Sequence, residues 1–209
     1  MKKIVIIAAS AASICLTATL GAAAGSKAQP AATPAVESKI TSVCQNCHGP
    51  RGDSVSSVYP RLNGQKADYI VSQLRHFRDH SRTDPHAQAY MWSTAAQLDD
   101  AMVVALAKYY ASQTPTSPQS GGALAGEGEK IFKTGVAAEG IPACHVCHGE
   151  HGEGSGALFP RIAGQHAAYL RMQLGLFRSM LRGNEVMHAN TKNMTDSEIE
   201  ALASYLGND

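Results

Sequence analysis

Two stretches of the chain space their apolar side chains three and four residues apart, and they are the same stretch used twice. Ile70, Val71, Leu74 and Phe77 form a stripe along residues 67–77, and Leu170, Leu174 and Phe177 repeat it along 167–177. That spacing predicts amphipathic helices. Near the C-terminus Thr195 stands three positions before Glu198, the arrangement of a capping box, and Ile199, Leu202 and Leu206 then share one face. Its earlier counterpart starts at Asp99 and runs through Val103, Leu106 and Tyr110. No run combines apolar–polar alternation, β-branched enrichment and a turn pair. The predicted fold class is all-α.

The repetition reaches beyond the helices. At an offset of 100 residues, Cys44, Cys47, His48, Gly49 and Gly52 recur as Cys144, Cys147, His148, Gly149 and Gly152. Pro60-Arg61, Gly64-Gln65, Ala67, Tyr69, Gln73-Leu74 and Phe77-Arg78 recur as Pro160-Arg161, Gly164-Gln165, Ala167, Tyr169, Gln173-Leu174 and Phe177-Arg178, so that 15 of the 35 positions from Cys44 to Arg78 are identical. Farther on, an offset of 96 pairs Met91 with Met187, Leu98 with Met194, Leu106 with Leu202 and Tyr109 with Tyr205. The second copy is therefore four residues shorter, and the pattern puts the difference in a loop, Asp79 to Tyr90, that carries His80 and His86. Thr114 to Gly126 is rich in Pro, Ser and Gly and has no periodicity, which reads as a linker. The expected organisation is a first domain over 35–114, a linker over 115–126 and a second domain over 127–209.

At the amino terminus Lys2 and Lys3 precede an uncharged apolar run from Ile4 to Leu20 and then Ala22-Ala23-Ala24, the pattern of a secretory signal peptide over residues 1–24. An uncleaved anchor is the rival, because the 21 residues from Ile4 to Ala24 are enough to span a bilayer. The small residues at the end of the run and the polar stretch after it favour cleavage. Removal of the leader takes away Cys15 and leaves four cysteines, all of them in the repeated motif.

Composition narrows the function. The 209 residues are 44% hydrophobic and 17% charged, as expected of one large or two small globular domains. A net charge of +1 with no basic run of five excludes the electrostatic footprint of a nucleic-acid-binding protein. With only 6% aromatic residues, domains this small bury little apolar area and need a covalent or cofactor staple.

Cys44-Gln45-Asn46-Cys47-His48 and Cys144-His145-Val146-Cys147-His148 supply one, since both match the c-type haem attachment signature. Two thiols on about one helical turn reach the two vinyl groups of one porphyrin edge, and the following imidazole turns onto the iron. A redox disulfide calls for a βαβ context, and a zinc site for four thiols or imidazoles together; neither context is visible. For the opposite face of each iron the candidates are Met91 and Met187, which occupy equivalent positions in both copies. His188 is the rival in the second copy, although Trp92 stands in its place in the first. Pro60 and Pro160, twelve residues after their histidines, are candidates to accept a hydrogen bond from the histidine Nδ1. Arg61 and Arg161 are candidate partners for haem propionates.

These motifs, together with Gly128-Glu129-Lys130-Ile131-Phe132, Gly140-Ile141-Pro142-Ala143-Cys144 and the twice-used Pro-x-x-x-Gly-Gln-x-x-x-Tyr-x-x-x-Gln-Leu-x-x-Phe-Arg, resemble those of the two-haem cytochromes c4, within the class I c-type cytochromes. The resemblance covers Ile40 to Leu206. It implies two tandem cytochrome c domains related by pseudo-two-fold symmetry, two covalently bound haem c groups with propionate edges facing each other, and iron ligation by His48 with Met91 and His148 with Met187. It further implies a non-enzymatic electron carrier in the periplasm, soluble or loosely membrane-associated. Redox proteins would be its partners: a quinol-oxidising complex or a dehydrogenase as donor and a terminal oxidase as acceptor. The alternative is an enzyme or enzyme subunit, such as a haem peroxidase, a sulfur-compound oxidising enzyme or the cytochrome subunit of a periplasmic dehydrogenase. A peroxidase needs an open iron face, and a sulfur enzyme usually needs a spare reactive thiol, which the mature chain lacks.

Overall fold

The computed structural model describes Met1 and residues 32–208, so the expected leader, apart from Met1, lies outside the described residues. Ten α-helices are found among the described residues. In the first copy α1 (Pro34–Lys39) passes through a π-helical segment (Ile40–Cys44) into α2 (Gln45–His48). After α3 (Ala67–Arg78) comes a second π-helical segment (Ala87–Met91), continued by α4 (Trp92–Ala95), and then α5 (Asp100–Ser112). The second copy comprises α6 (Ala125–Thr134), α7 (His145–His148), α8 (Ala167–Arg178), α9 (Glu185–Thr191) and α10 (Asp196–Leu206). Three isolated β-bridges are the only extended pairings among the described residues.

The ends of these helices follow from local chemistry. Asp99 accepts the Met102 N–H at the start of α5, and Thr195 and Glu198 form the reciprocal capping box of α10. The apolar faces close two separate cores. Val36, Ile40, Ile70, Leu98, Val103, Leu106 and Tyr110 form one, and Ile131, Phe132, Leu170, Met194, Ile199, Leu202 and Leu206 form the other. Met194 is thus a core residue. In the second domain α6 crosses α10 closely at Gly128, where a Cβ would fall 1.9 Å from the Ala201 carbonyl oxygen. Only glycine permits that approach.

The two copies share their connecting hydrogen bonds. Leu62 and Asn63 donate to the Gly52 carbonyl as Ile162 and Ala163 donate to that of Gly152, and Gly64 donates to Tyr110 as Gly164 does to Leu206. Arg78 ties α3 to the Leu98 carbonyl and Asp100, and Arg178 ties α8 to the Met194 carbonyl and Asp196.

The four extra residues of the first copy are not in a loop, which corrects the reading of the sequence. Residues 85–95 are continuously helical, against 185–191 in the second copy. The side chains of Asp84 and Asn184, 100 residues apart, each accept a backbone N–H at the start of these helices, from Ala87 and Met187 respectively. Four residues are close to one helical turn of 3.6, and the wider π-helical turn at Ala87–Met91 absorbs the remainder. Met91 and Met187 therefore sit on helices, as does His86, while His80 occupies a left-handed turn (φ 63°) and stacks on Trp92 at 4.0 Å.

The segment between the copies has no regular secondary structure over 114–121, yet it is tied down on both sides. Asn63 donates to the Thr114 carbonyl (2.8 Å), Asn208 to that of Ser117 (2.6 Å), and Gln119 N–H to that of Gly207 (2.9 Å). The domains themselves meet through a reciprocal pair of amides. Gln65 accepts from Arg161 N–H (2.8 Å) and donates to the Arg161 carbonyl (2.8 Å), while Gln165 accepts from Arg61 N–H (2.8 Å) and donates to the Arg61 carbonyl (3.0 Å). Contacts that exchange roles in this way are the mark of an approximate two-fold axis.

Candidate functional site

Each Cys-x-x-Cys-His motif ends in a short helical turn that stops at a glycine, the first as the end of the continuous helical stretch 34–48 and the second as an isolated turn. Gly49 (φ 75°) and Gly149 (φ 86°) follow the histidines, in a backbone region that L side chains rarely adopt. The turns hold Cys44, Cys47, Cys144 and Cys147 half-buried. Burial pushes the Cys144 thiol up to about 11, and it also raises that of Cys44, against the opposing pull of the Tyr110 hydroxyl.

His48 and His148 are buried, each 9% exposed. Their Nδ1 atoms lie 2.9 Å from the Pro60 carbonyl oxygen and 3.0 Å from that of Pro160, so the prolines hold the positions expected of them. Burial pulls both imidazoles below the usual histidine range, outweighing the carbonyl bond that favours the cation. A neutral ring that donates through Nδ1 keeps its lone pair on Nε2, which is the form that binds iron. Tyr59 and Phe159 stand edge-on to the two rings, both at 6.4 Å between centroids.

Met91 is half-buried against a small apolar group of Phe77, Ala87 and Ala95. Met187 is half-buried in the first turn of α9, where Asn184 caps its N–H. The Nδ1 of the rival His188 lies 3.1 Å from the Phe177 carbonyl oxygen. Arg61 and Arg161 make bonds that the sequence did not suggest. Arg61 donates to the carbonyls of Gly164 (3.0 Å) and Asn208 (2.6 Å), and Arg161 to that of Thr116 (3.2 Å).

The buried arginines between the domains are instead Arg82 and Arg182. Each guanidinium lies over a phenylalanine of its own domain, Arg82 at 4.7 Å from the Phe77 centroid and Arg182 at 4.5 Å from that of Phe177. Gln73 Oε1 accepts from both, at 2.8 and 2.9 Å, and Gln173 Oε1 also accepts from both. Each arginine reaches a tyrosine of the other domain, Arg82 that hydroxyl of Tyr169 (3.5 Å) and Arg182 that of Tyr69 (2.9 Å). Among the described residues a single carboxylate serves the pair: Asp84, fully buried, 2.7 Å from Arg82 Nε and held ionised by it against the cost of burial. Its counterpart in the repeat is the neutral Asn184. The sequence did carry a signal for this junction, because Arg82 and Arg182 are still 100 residues apart.

Two permanent cations against one carboxylate leave a buried excess of positive charge, and Gln173 Nε2 is buried there without a partner. Such a junction fits a group that brings carboxylates to it, as haem propionates do.

Comparison with known proteins agrees with this chemistry. The cytochrome c family profile matches residues 125–208. The cytochrome c4 of Thiocapsa roseopersicina is 39% identical over 176 residues, covering 81% of this chain and 88% of that one. The thiosulfate dehydrogenase electron acceptor of Thiomonas intermedia is 38% identical over 196 residues, covering 90% and 87%. The solved structure of Acidithiobacillus ferrooxidans cytochrome c4 is similar with a TM-score of 0.74 and 44% identity, covering 78% of this chain and 96% of that one. Two haem-attachment motifs, each with a buried histidine, and relatives that match over most of their own length establish that this chain belongs to the cytochrome c4 family and carries two covalently bound haem c groups.

Proposed function

We propose that this dihaem electron carrier works in the periplasm between redox proteins, taking electrons from a quinol-oxidising complex or a dehydrogenase and delivering them to a terminal oxidase. The observation that carries the reading is the duplication of the whole coordination apparatus: the buried histidine held by a proline carbonyl, and a helix-borne methionine at the matching place in each domain. Bound haem supplies an iron that cycles between ferric and ferrous, and His48 with Met91 and His148 with Met187 are its proposed ligands. Pro60 and Pro160 fix the orientation and proton position of the two imidazoles, and Met91 and Met187, carried on capped helices, would hold the iron through their thioethers. With a histidine and a methionine both engaged, each site would exchange electrons with little rearrangement and leave no place for a substrate. The expected leader, residues 1–24, supports export, and among the described residues no helix is long and apolar enough to cross a membrane.

A second donor is favoured by a specific finding. The relative from Thiomonas intermedia that aligns with 90% of this chain is a thiosulfate dehydrogenase electron acceptor, so a sulfur-oxidising dehydrogenase stands beside the quinol-oxidising complex as a source of electrons. Stopped-flow mixing decides among these readings. The reduced protein is expected to be oxidised rapidly by a purified terminal oxidase, and the oxidised protein to be reduced by thiosulfate only when a thiosulfate dehydrogenase is present. Sustained turnover of thiosulfate or peroxide by the chain alone would show it to be an enzyme.

A further inference from the structure

In the arginine cluster at the junction between the domains, every side chain but one has its like at the equivalent position of the repeat. Arg82 and Arg182, Gln73 and Gln173, Tyr69 and Tyr169, and the phenylalanines beneath the guanidinium groups are all paired by the repeat. Asp84 is not. It binds Arg82 through Oδ2 at 2.7 Å and, through Oδ1, accepts the Ala87 N–H at 3.1 Å, so the carboxylate is built into the start of the helix that carries Met91. At the same place on the helix that carries Met187 stands Asn184, which makes the cap and brings no charge.

We propose that Asp84 makes the two haems unequal, lowering the reduction potential of the haem in the first domain relative to that in the second. The inference rests on the assignment of one haem to each motif. Because the two arginines lie about the pseudo-two-fold axis and share both glutamines, their charge acts on the two irons nearly alike. Asp84 lies off that axis, on the ligand helix of one domain. Ferric iron carries one more positive charge than ferrous, so a nearby anion favours the oxidised state and lowers the potential. Asp84 is fully buried and Arg82 nearly so, which leaves their field only weakly screened by salt. Asp84 is ion-paired with Arg82 and acts on Arg182 only through space, which leaves the protein's own charge more positive on the second side of the junction.

The test is a spectroelectrochemical titration of the haem-loaded protein. A pyridine haemochrome count of two haems per chain checks the underlying assignment separately. Met91→Ala leaves the attachment motif intact, removes the thioether proposed for the first iron and so identifies its redox wave. Asp84→Asn is nearly isosteric, and Asn184 shows that asparagine can cap this helix; it is expected to raise the first wave, leave the second almost in place and narrow the gap between them. Should that variant fold poorly, the exchange Asp84→Asn with Asn184→Asp returns one carboxylate to the junction, and the same upward movement of the first wave is expected. A first wave that stays in place or falls in the folded variant, or two waves that rise equally, would overturn the proposal.

Discussion

His48 and His148 show how little of the iron chemistry is left to chance at the level of single residues. A buried imidazole bonded through Nδ1 to a carbonyl presents its other nitrogen as a lone pair, which suits it to the ligand role proposed for it. The thioether side is tested by substitution. Replacing Met91 or Met187 with Ala is expected to leave haem attached, to remove about half of the methionine-dependent near-infrared absorption, and to lower one of the two potentials, because loss of a thioether ligand favours ferric iron. Asp84 makes a different prediction, one of acid sensitivity. Its folded-state pKa lies below the ordinary carboxylate value, so below about pH 4 the unfolded chain binds a proton that the folded chain refuses. The stability it contributes is present above that pH and is lost as pH falls through the depressed value. Denaturant melts from pH 5 down to pH 2 should show Asp84→Asn losing less stability than the unmodified protein over that range. Arg82 and Arg182 mark the limit of residue-level reading: their repeat was visible, but burial, which gives them their meaning, is not written in residue type.

Among the elements, α6 and α10 give the sharpest constraint. Gly126 and Gly128 lie on the same helix, yet a Cβ at Gly126 meets nothing within 4 Å while one at Gly128 would strike the Ala201 carbonyl. Gly128→Ala is therefore expected to destabilise the protein by about 1–3 kcal/mol or more through forced separation of the helices. Gly126→Ala should be neutral or stabilise by up to about 1 kcal/mol through helix propensity. Chemical denaturation of the two variants makes the comparison. The helices themselves were legible from their apolar stripes and caps, with α3, α5, α8 and α10 all found where the pattern puts them. The helix that carries Met91 was not, because its apolar positions are spread over a π-helical turn and no 3.6-residue stripe survives there.

For the molecule as a whole the two domains are chemically unequal ends of one body. Residues 35–114 hold eight basic and seven acidic side chains, whereas 127–209 hold seven and ten. A partner with a basic docking face is steered toward the second domain, and its rate of electron exchange is expected to fall as ionic strength rises from about 10 mM, where the Debye length is about 30 Å, to about 150 mM. Stopped-flow rates across that range provide the check, and charge-neutral variants of exposed acidic residues in 127–209 should flatten the dependence. The body is held together largely by polar groups. Gln65→Ala leaves the Arg161 N–H and carbonyl without their partners at a cost of about 1–3 kcal/mol, and Gln65→Ala with Gln165→Ala should separate one cooperative thermal transition into two.

What the sequence determined by itself is everything that depends on local order: the all-α class, the repeat, the haem-attachment turns and the helix caps. Spacing of three and four residues is a property of neighbours along the chain, and Cys-x-x-Cys-His carries its chemistry within five positions. The helical course of the four extra residues before Met91, the docking of the 114–121 segment and the meeting of Arg82 with Arg182 were decided only in three dimensions. Groups about 100 residues apart come together there through the close of two hydrophobic cores and the pseudo-two-fold that pairs them. Burial then turned two ordinary arginines and one aspartate into the charge balance of the interface, since a charge matters in proportion to the water taken away from it.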